Sequence, residues 1–174
     1  MRLPGRHAVP DDVRRAVVLT QGERVLGSAP TVDGETLVAT SQRLVLVAPP
    51  AVRWARPWAR VDAAGWDHEA GILRVEWLGE PTSSLELVAG TGPRLPEVVR
   101  ERVESSVVTS RHVQVPGHGG VRLVVRRAGE ELALQVVPDP GTVLDDPAVS
   151  TAVEEARREL ADQVGALPPQ GRLW

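Results

Sequence analysis

The spacing of hydrophobic residues changes several times along the chain, and each spacing predicts a different kind of element. Pro10-Asp11-Asp12 followed by Val13, Ala16 and Val17 predicts a short helix, because apolar residues recur at helical spacing behind two acids. From Gly22 the period becomes two, which predicts strands over 24–29, 35–40, 43–48, 71–78 and 84–88. An extended stretch over 58–66 makes six strands, and we interpret the proline-broken segment before it as a loop.

The strand-rich segment contains no helical spacing, so it predicts an antiparallel barrel or sandwich and not alternating β-α units. Asp33-Gly34 predicts a hairpin turn, because glycine tolerates the positive φ of a tight turn. Trp77 shares a face with Leu73 and Val75, which predicts that it is buried. We also expect Trp66 to be buried, although its same-face neighbours are only weakly apolar.

Helical spacing returns in the second half of the chain. A stripe of Leu95, Val99, Val103 and Val107 predicts an amphipathic helix. Segments 121–127 and 132–137 alternate and predict a hairpin, preceded by a loop at Pro116-Gly117-His118-Gly119-Gly120. Asp146-Pro147 predicts the start of a last helix, since an acid at the N-cap and a proline after it are typical of helix starts. Gly165 predicts its end.

These elements predict an α+β protein organised in three parts. Residues 1–110 form an antiparallel β-barrel with a short N-terminal helix and a capping helix. Residues 111–165 form a C-terminal β-hairpin and helix extension, which we expect to pack on the barrel because a hairpin and one helix alone bury little apolar surface. Residues 166–174 hold two prolines and are predicted to be a loose tail.

Local motifs resemble a known family. Gly22-Glu23-Arg24-Val25-Leu26 is similar to the opening of bacterial pleckstrin-homology-like (PH-like) domains of the GRAM-related kind. Leu37-Val38-Ala39-Thr40-Ser41-Gln42-Arg43-Leu44 resembles their second hairpin, in which Thr and Arg bracket the turn. Val61-Asp62-Ala63-Ala64-Gly65-Trp66 is similar to their next strand. The resemblance covers about residues 22–107 and implies a PH-like barrel that binds or scaffolds, with no catalytic or ligand residues to carry over.

Composition narrows the function classes. The 174 residues are 42% hydrophobic and 25% charged, which are ordinary globular values. Cysteine is absent, so a disulfide scaffold, a thiolate metal site and a cysteine nucleophile are excluded. The formal charge of −3 argues against a nucleic-acid binder. All 20 basic residues are arginine and Phe and Tyr are absent, a bias typical of a high-GC, actinobacterial-type genome. The chain shows no signal-peptide pattern, so we expect it in the cytoplasm.

The residues able to support catalysis or metal binding are few. His68 lies in a predicted turn, and His7 lies near the N-terminus. His112, His118 and Asp139 could meet a metal, but their spacing is loose and we favour a purely structural interpretation. The glycine-rich loop is followed by a strand and not by a helix, so it predicts a hairpin and not a phosphate cradle. We therefore expect no enzyme activity, no cofactor and no metal.

One segment stands out as an interaction surface. It consists of Arg53, Trp54, Arg56, Trp58 and Arg60, within a stretch that has no acid between Glu35 and Asp62. Arginines interleaved with tryptophans could bind phosphate headgroups or an acidic peptide. We favour the alternative in which Trp58 packs in the core and the arginines protect a strand edge. The sequence therefore predicts a non-enzymatic interaction or scaffolding module with a protein partner. The alternatives are a peripheral domain that binds anionic membranes or phosphate, and an enzyme with an unrecognised site.

Overall fold

The computed structural model shows an α+β protein whose chain divides into two compact units. It describes residues 9–90, 94–128, 131–165 and 167. Unit 1 is Met1–Glu104 and unit 2 is Ser105–Trp174. Within the described residues, none of the helices combines the length and the apolar character that crossing a membrane requires. The predicted α+β class is confirmed.

Unit 1 contains two antiparallel sheets. The first has four strands in the order β1-β2-β3-β4, and the second has three in the order β5-β6-β7. Their bounds are β1 Val25–Pro30, β2 Thr36–Thr40, β3 Arg43–Ala48, β4 Ala51–Pro57, β5 Val61–Asp67, β6 Ile72–Trp77 and β7 Glu80–Glu86. An isolated bridge between Thr31 and Leu87 joins the two sheets at one corner. All other strand pairing is between strands of the same sheet. No closed barrel is therefore found among the described residues.

The first sheet has one strand more than the sequence predicted. Segment Ala51–Pro57, interpreted as a loop because of its prolines, is β4 and pairs with β3. Pro49 and Pro50 lie in the turn before β4, and Pro57 is its last residue. A proline is compatible with this position because β4 is at the sheet edge. A 3₁₀ turn at Trp58–Arg60 then leads from β4 into β5.

Helix α2, Arg94–Ser106, closes the core of unit 1. Its stripe of Leu95, Val99 and Val103 packs with buried side chains from both sheets. The prediction that the helix includes Val107 is wrong, because Val107 is exposed and begins the next strand. Two serines followed by the β-branched run Val107-Val108-Thr109 favour extended backbone over another helical turn.

The outer face of the first sheet is covered by helix α1, Asp11–Ala16. Val13 and Val17, four residues apart, are buried against Val38, Val45 and Val47. The alternate residues of β2 and β3 face the central core. Because both faces of the sheet are covered, every residue of β2 is buried, and buried and exposed residues do not alternate along the strand.

Glu23 is a buried carboxylate that joins three parts of unit 1. Arg43 Nε donates to it at 2.9 Å, Thr40 Oγ1 at 2.6 Å and the Thr20 N–H at 2.9 Å. The same guanidinium donates to the carbonyl of Val18 at 2.7 Å. Burial opposes ionisation of Glu23, but the hydrogen bonds from Arg43, Thr20 and Thr40 outweigh it and lower the pKa to about 2. We call this group the Glu23 cluster.

Unit 2 is a three-stranded sheet with one helix on it. The strands are β8 Val107–Val115, β9 Gly119–Ala128 and β10 Glu131–Pro138, in the order β10-β9-β8. Helix α3, Pro147–Val164, buries Val149, Ala156 and Leu160 against that sheet. Asp146 caps it by accepting from the Ala148 N–H at 2.8 Å, as the sequence predicted. Strand β8 adds a third strand to the predicted hairpin.

The observed division differs from the predicted domains in its boundary. The two units separate after Glu104, whereas the sequence placed the end of the barrel at residue 110. Unit 2 contains its own apolar cluster, because β8 supplies Val113 and Val115 to it. Whether segment 111–165 packs on the rest of the chain stays a prediction. The predicted loose tail lies outside the described residues except for Leu167, as do Trp174 and His7.

Trp77 tests the register of β6. It is only 5% exposed, and its indole N–H donates to Ser83 Oγ at 2.8 Å, so its predicted burial is confirmed. We expect Trp77→Ala to lower the free energy of unfolding by about 3–5 kcal/mol through lost burial and a residual cavity. Urea denaturation measures this. Val32→Ala, at a side chain 51% exposed, is the control and changes stability little. An unchanged midpoint for Trp77→Ala would contradict the register.

The Glu23 cluster predicts a loss of stability in acid. The carboxyl's pKa is about 2 in the folded chain against an ordinary 4.5, so its contribution is complete above pH 4.5 and is lost as pH falls through 2. The total is about 3 kcal/mol, of which about 2 kcal/mol is lost by pH 3. Glu23→Gln removes this pH dependence. An NMR titration of the Glu23 carboxyl with a midpoint near 4 would contradict this prediction, because the carboxyl would then gain no stabilisation from its partners in the fold.

Candidate functional site

The structure distributes the predicted Arg–Trp surface between an edge strand and the core. Arg53, Trp54 and Arg56 lie on β4, and Trp58 and Arg60 lie in the 3₁₀ turn. Trp58 is 4% exposed, and its indole N–H donates to the backbone carbonyl of Thr40 at 2.9 Å. Trp58 is therefore a core residue and contributes nothing to a binding surface.

The remaining members of that surface contact each other and nearby acids. The Arg56 guanidinium lies 4.6 Å from the Trp77 ring centroid and 5.4 Å from that of Trp54. Glu80 accepts from Arg56 at 2.5 Å and from Arg60 at 2.7 Å. The hydrogen bond from Arg60 is the largest influence on Glu80, and together with Arg56 it lowers the pKa of that carboxyl. These arginines are held as cations beside a carboxylate, which weakens their attraction for an external anion.

Arg53 is also paired with an acid. Its guanidinium donates to the carboxylate of Glu35 across the first sheet. All three arginines of the predicted surface therefore have an acidic partner within unit 1. This arrangement supports the interpretation in which arginines keep the edge strand β4 from pairing with other chains.

A groove lies elsewhere in unit 1, between the second sheet and helix α2. It encloses about 360 Å³ above Leu73 and Ala64, and its walls include Gly65, Trp66, His68, Pro96, Glu97 and Arg100. Trp66 is half-buried and packs on the central core while it borders this groove. The burial expected of Trp66 is therefore only partial. Its ring makes an edge-to-face contact with His68 at 5.8 Å between centroids.

The indole N–H of Trp66 is the unusual polar group of the groove. The nitrogen is buried and has no hydrogen-bond partner among the described residues. A buried donor without an acceptor costs free energy, and about 1–3 kcal/mol is typical. An occupant that brings a carbonyl or carboxylate oxygen to this atom would relieve that cost.

Strand β5 borders the groove and is an edge strand of the second sheet. Strand β1 ends in Pro30, β4 ends in Pro57, and β7 contains Pro81 beside Glu80. After an irregularity at its first residues, β5 carries neither proline nor charge over residues 63–66. A Cβ built on Gly65 would meet no atom within 4 Å, so another backbone can approach it closely. Residues 63–66 of β5 therefore form an edge segment that neither proline nor charge protects from pairing.

Unit 2 brings some of the sequence-predicted metal candidates together and separates others. His112 Nε2 lies 2.9 Å from Asp139 Oδ2, and both side chains are about two-fifths exposed. His118 turns to a different acid, with Nδ1 at 3.0 Å from Asp146 Oδ2. The glycine-rich loop forms the turn between β8 and β9, as predicted. Among the described residues, no three His, Cys, Asp or Glu side chains are placed to hold a metal together.

Comparison with known proteins adds no assignment. No family model matches the chain, and no curated protein or solved structure matches it either.

Sequence reasoning missed the groove, although one signal pointed to it. Glu97 and Arg100 lie on the exposed, polar side of a helix whose sequence pattern identifies only its buried stripe. Trp66 follows Asp62 and Ala64 on its own face, which is too weakly apolar to bury an indole completely. A tryptophan on such a face is typical of a partly open site. The partner element, α2, is separated from it by about 30 residues of chain and could not be located by pattern.

The ion pairs on β4 predict weak or no membrane binding. We expect neither the wild type nor Arg53→Glu/Arg56→Glu to sediment with anionic vesicles at low salt. In the wild type, Arg53 and Arg56 already form ion pairs with Glu35 and Glu80. The net charge of −3 adds long-range repulsion. Liposome co-sedimentation measures this, with neutral vesicles as the control. Sedimentation of the wild type alone, on anionic vesicles alone, would instead support the membrane alternative.

Proposed function

We propose that unit 1 is a PH-like, non-enzymatic interaction module that binds an extended segment of a partner protein in the groove between β5 and α2. The observation that carries the proposal is the unprotected edge of β5 beside a groove bordered by Trp66. An exposed strand edge binds an extended peptide by adding it to the sheet, with main-chain hydrogen bonds supplying affinity. Side-chain pockets beside the edge supply specificity.

The order of elements supports the PH-like part of the proposal. Seven antiparallel strands in two sheets are followed directly by one amphipathic helix that caps their shared core. The motifs that resemble bacterial PH-like domains also have a joint structural role. Glu23 from the first motif and Thr40 and Arg43 from the second are members of the same buried cluster. The two motifs are about 20 residues apart in sequence, yet their residues contact each other in the fold. Their resemblance to PH-like domains is therefore not a set of unrelated local similarities.

The chemistry of the groove favours a peptide over a small charged ligand. Its floor and nearest wall are apolar, from Ala64, Leu73 and Trp66, while Glu97 and Arg100 present opposite charges on the helix side. Opposite charges on one rim favour a neutral, extended backbone over an anionic headgroup. The indole N–H of Trp66 can donate to an acceptor on the bound segment.

A blocking variant tests the proposal. Peptides selected from a random phage-displayed library on the wild-type chain serve as the probe. We expect Gly65→Arg to weaken binding by about tenfold or more, because its side chain fills the open space beside β5. Thr82→Arg adds the same arginine side chain at the opposite edge of the same sheet and is the matched control. Fluorescence polarisation of labelled peptides measures both affinities.

Three results would contradict the proposal. Selection that yields no peptide binding more tightly than about 1 mM would remove the interaction. Equal affinity for the wild type and Gly65→Arg would place the peptide elsewhere. Equal loss in Gly65→Arg and Thr82→Arg would indicate an effect of added charge and not of the β5 edge.

A further inference from the structure

Unit 2 contains a cluster of polar side chains that the proposed function does not use. His112 and Gln114 come from β8, and Asp139 follows the end of β10. They lie beside Gly120 of β9, which pairs with Gln114. This face of the sheet is opposite to the one that packs on α3, since Val113 and Val121 on the alternate positions belong to the apolar cluster.

Gly120 allows the three side chains to meet. A Cβ at this position would come within 3 Å of His112 Nε2, Gln114 Nε2 and Asp139 Oδ2 together. The ends of three side chains, two from β8 and one from the loop after β10, therefore converge on one point above the glycine. Any other residue at 120 would place its Cβ at that point, and the ends of the three side chains would have to move away from it.

Hydrogen bonds hold the backbone of the loop that carries Asp139. The Asp139 N–H donates to the Gly120 carbonyl at 2.9 Å, and the Thr142 N–H donates to the Asp139 carbonyl at 3.0 Å. Thr142 Oγ1 accepts from the Gly120 N–H at 3.1 Å. The loop after β10 is thereby fixed to the strand that carries the glycine.

We propose that this cluster binds one divalent first-row transition-metal ion, with His112 Nε2, Asp139 Oδ2 and the side-chain oxygen of Gln114 as its protein ligands. Two ligand atoms about 2.1 Å from an ion and at right angles to each other are about 3 Å apart. His112 Nε2 and Asp139 Oδ2 are 2.9 Å apart. Rotation of the Gln114 amide by half a turn places its oxygen where its nitrogen now lies.

The ligand types select the class of ion. An imidazole nitrogen favours Ni²⁺, Zn²⁺ or Cu²⁺ over Mg²⁺ and Ca²⁺, which prefer oxygen ligands alone. Asp139 supplies the negative charge that a cation requires and that would repel an anion. The ion takes the place of the hydrogen between His112 Nε2 and Asp139, and the ligating imidazole remains neutral with its proton on Nδ1. A neutral ring therefore moves its proton from Nε2 to Nδ1 through solvent, whereas an imidazolium releases its Nε2 proton to solvent. Both side chains are about two-fifths exposed, so water can complete the coordination.

Calorimetric titration of the full, tag-free chain with NiCl₂ and ZnCl₂ tests the proposal. We expect one ion per chain and no binding of MgCl₂. His112→Ala and Gly120→Ala should each weaken binding by about tenfold or more. His118→Ala is the matched control because His118 pairs with Asp146 and not with the cluster. It should leave the affinity unchanged, and circular dichroism checks the fold of each variant.

A variant that should bind the metal more tightly keeps the proposal testable if His112→Ala or Gly120→Ala fails to fold. Gln114→Glu replaces a neutral oxygen ligand with a carboxylate and should tighten binding by about tenfold. Unchanged affinity in both Gln114→Glu and His112→Ala would overturn the site. Failure of NiCl₂ and ZnCl₂ to bind below about 1 mM would also overturn it. Because every residue changed lies in unit 2, none of these outcomes bears on the groove of unit 1.

Discussion

The ion pair between the buried Glu23 carboxylate and the partly exposed Arg43 is the constraint on which unit 1 depends. A carboxylate without exposed surface is stable only when its charge is compensated, and removing one partner of such a pair costs about 3–5 kcal/mol. Thr40, a member of the same cluster, also accepts the indole hydrogen bond of Trp58 through its carbonyl. Trp58 in turn fixes the 3₁₀ turn from which β5 begins. The position of the β5 edge, and so of the groove, follows from this chain of contacts.

The elements with local signals could be predicted from the sequence. Helix α3 has its cap, its proline and its apolar stripe within one continuous segment. Strand β6 alternates clearly, and its burial follows that alternation. Strand β4 could not be recognised, because Pro49 and Pro50 before it and Pro57 at its end indicate a loop unless the strand is known to lie at a sheet edge. The end of α2 was misplaced because valine continues the helical stripe and also begins β8.

The candidate sites depend on contacts that no local pattern contains. Arg53 and Glu35 are 18 residues apart, and Arg60 and Glu80 are 20 apart, so their ion pairs appear only when the strands are aligned. The sequence of residues 53–60 indicated a basic surface, whereas in the fold each of its arginines forms an ion pair with a glutamate. In unit 2 the sequence identified His112 and Asp139 but grouped them with His118. Gln114 takes that third place because β8 alternates, which puts residues 112 and 114 on one face.

Helix α1 covers a sheet that would otherwise present a flat apolar surface. Val38, Val45 and Val47 are buried beneath it, and six residues of helix are too few to be stable in isolation. Arg43 ties the segment after α1 to the sheet through the Val18 carbonyl, so protonation of Glu23 weakens the attachment of this cover as well. Acid would then uncover three adjacent valines while both sheets remain paired. A contiguous apolar surface of this kind, exposed by local opening, is a site from which aggregation can begin.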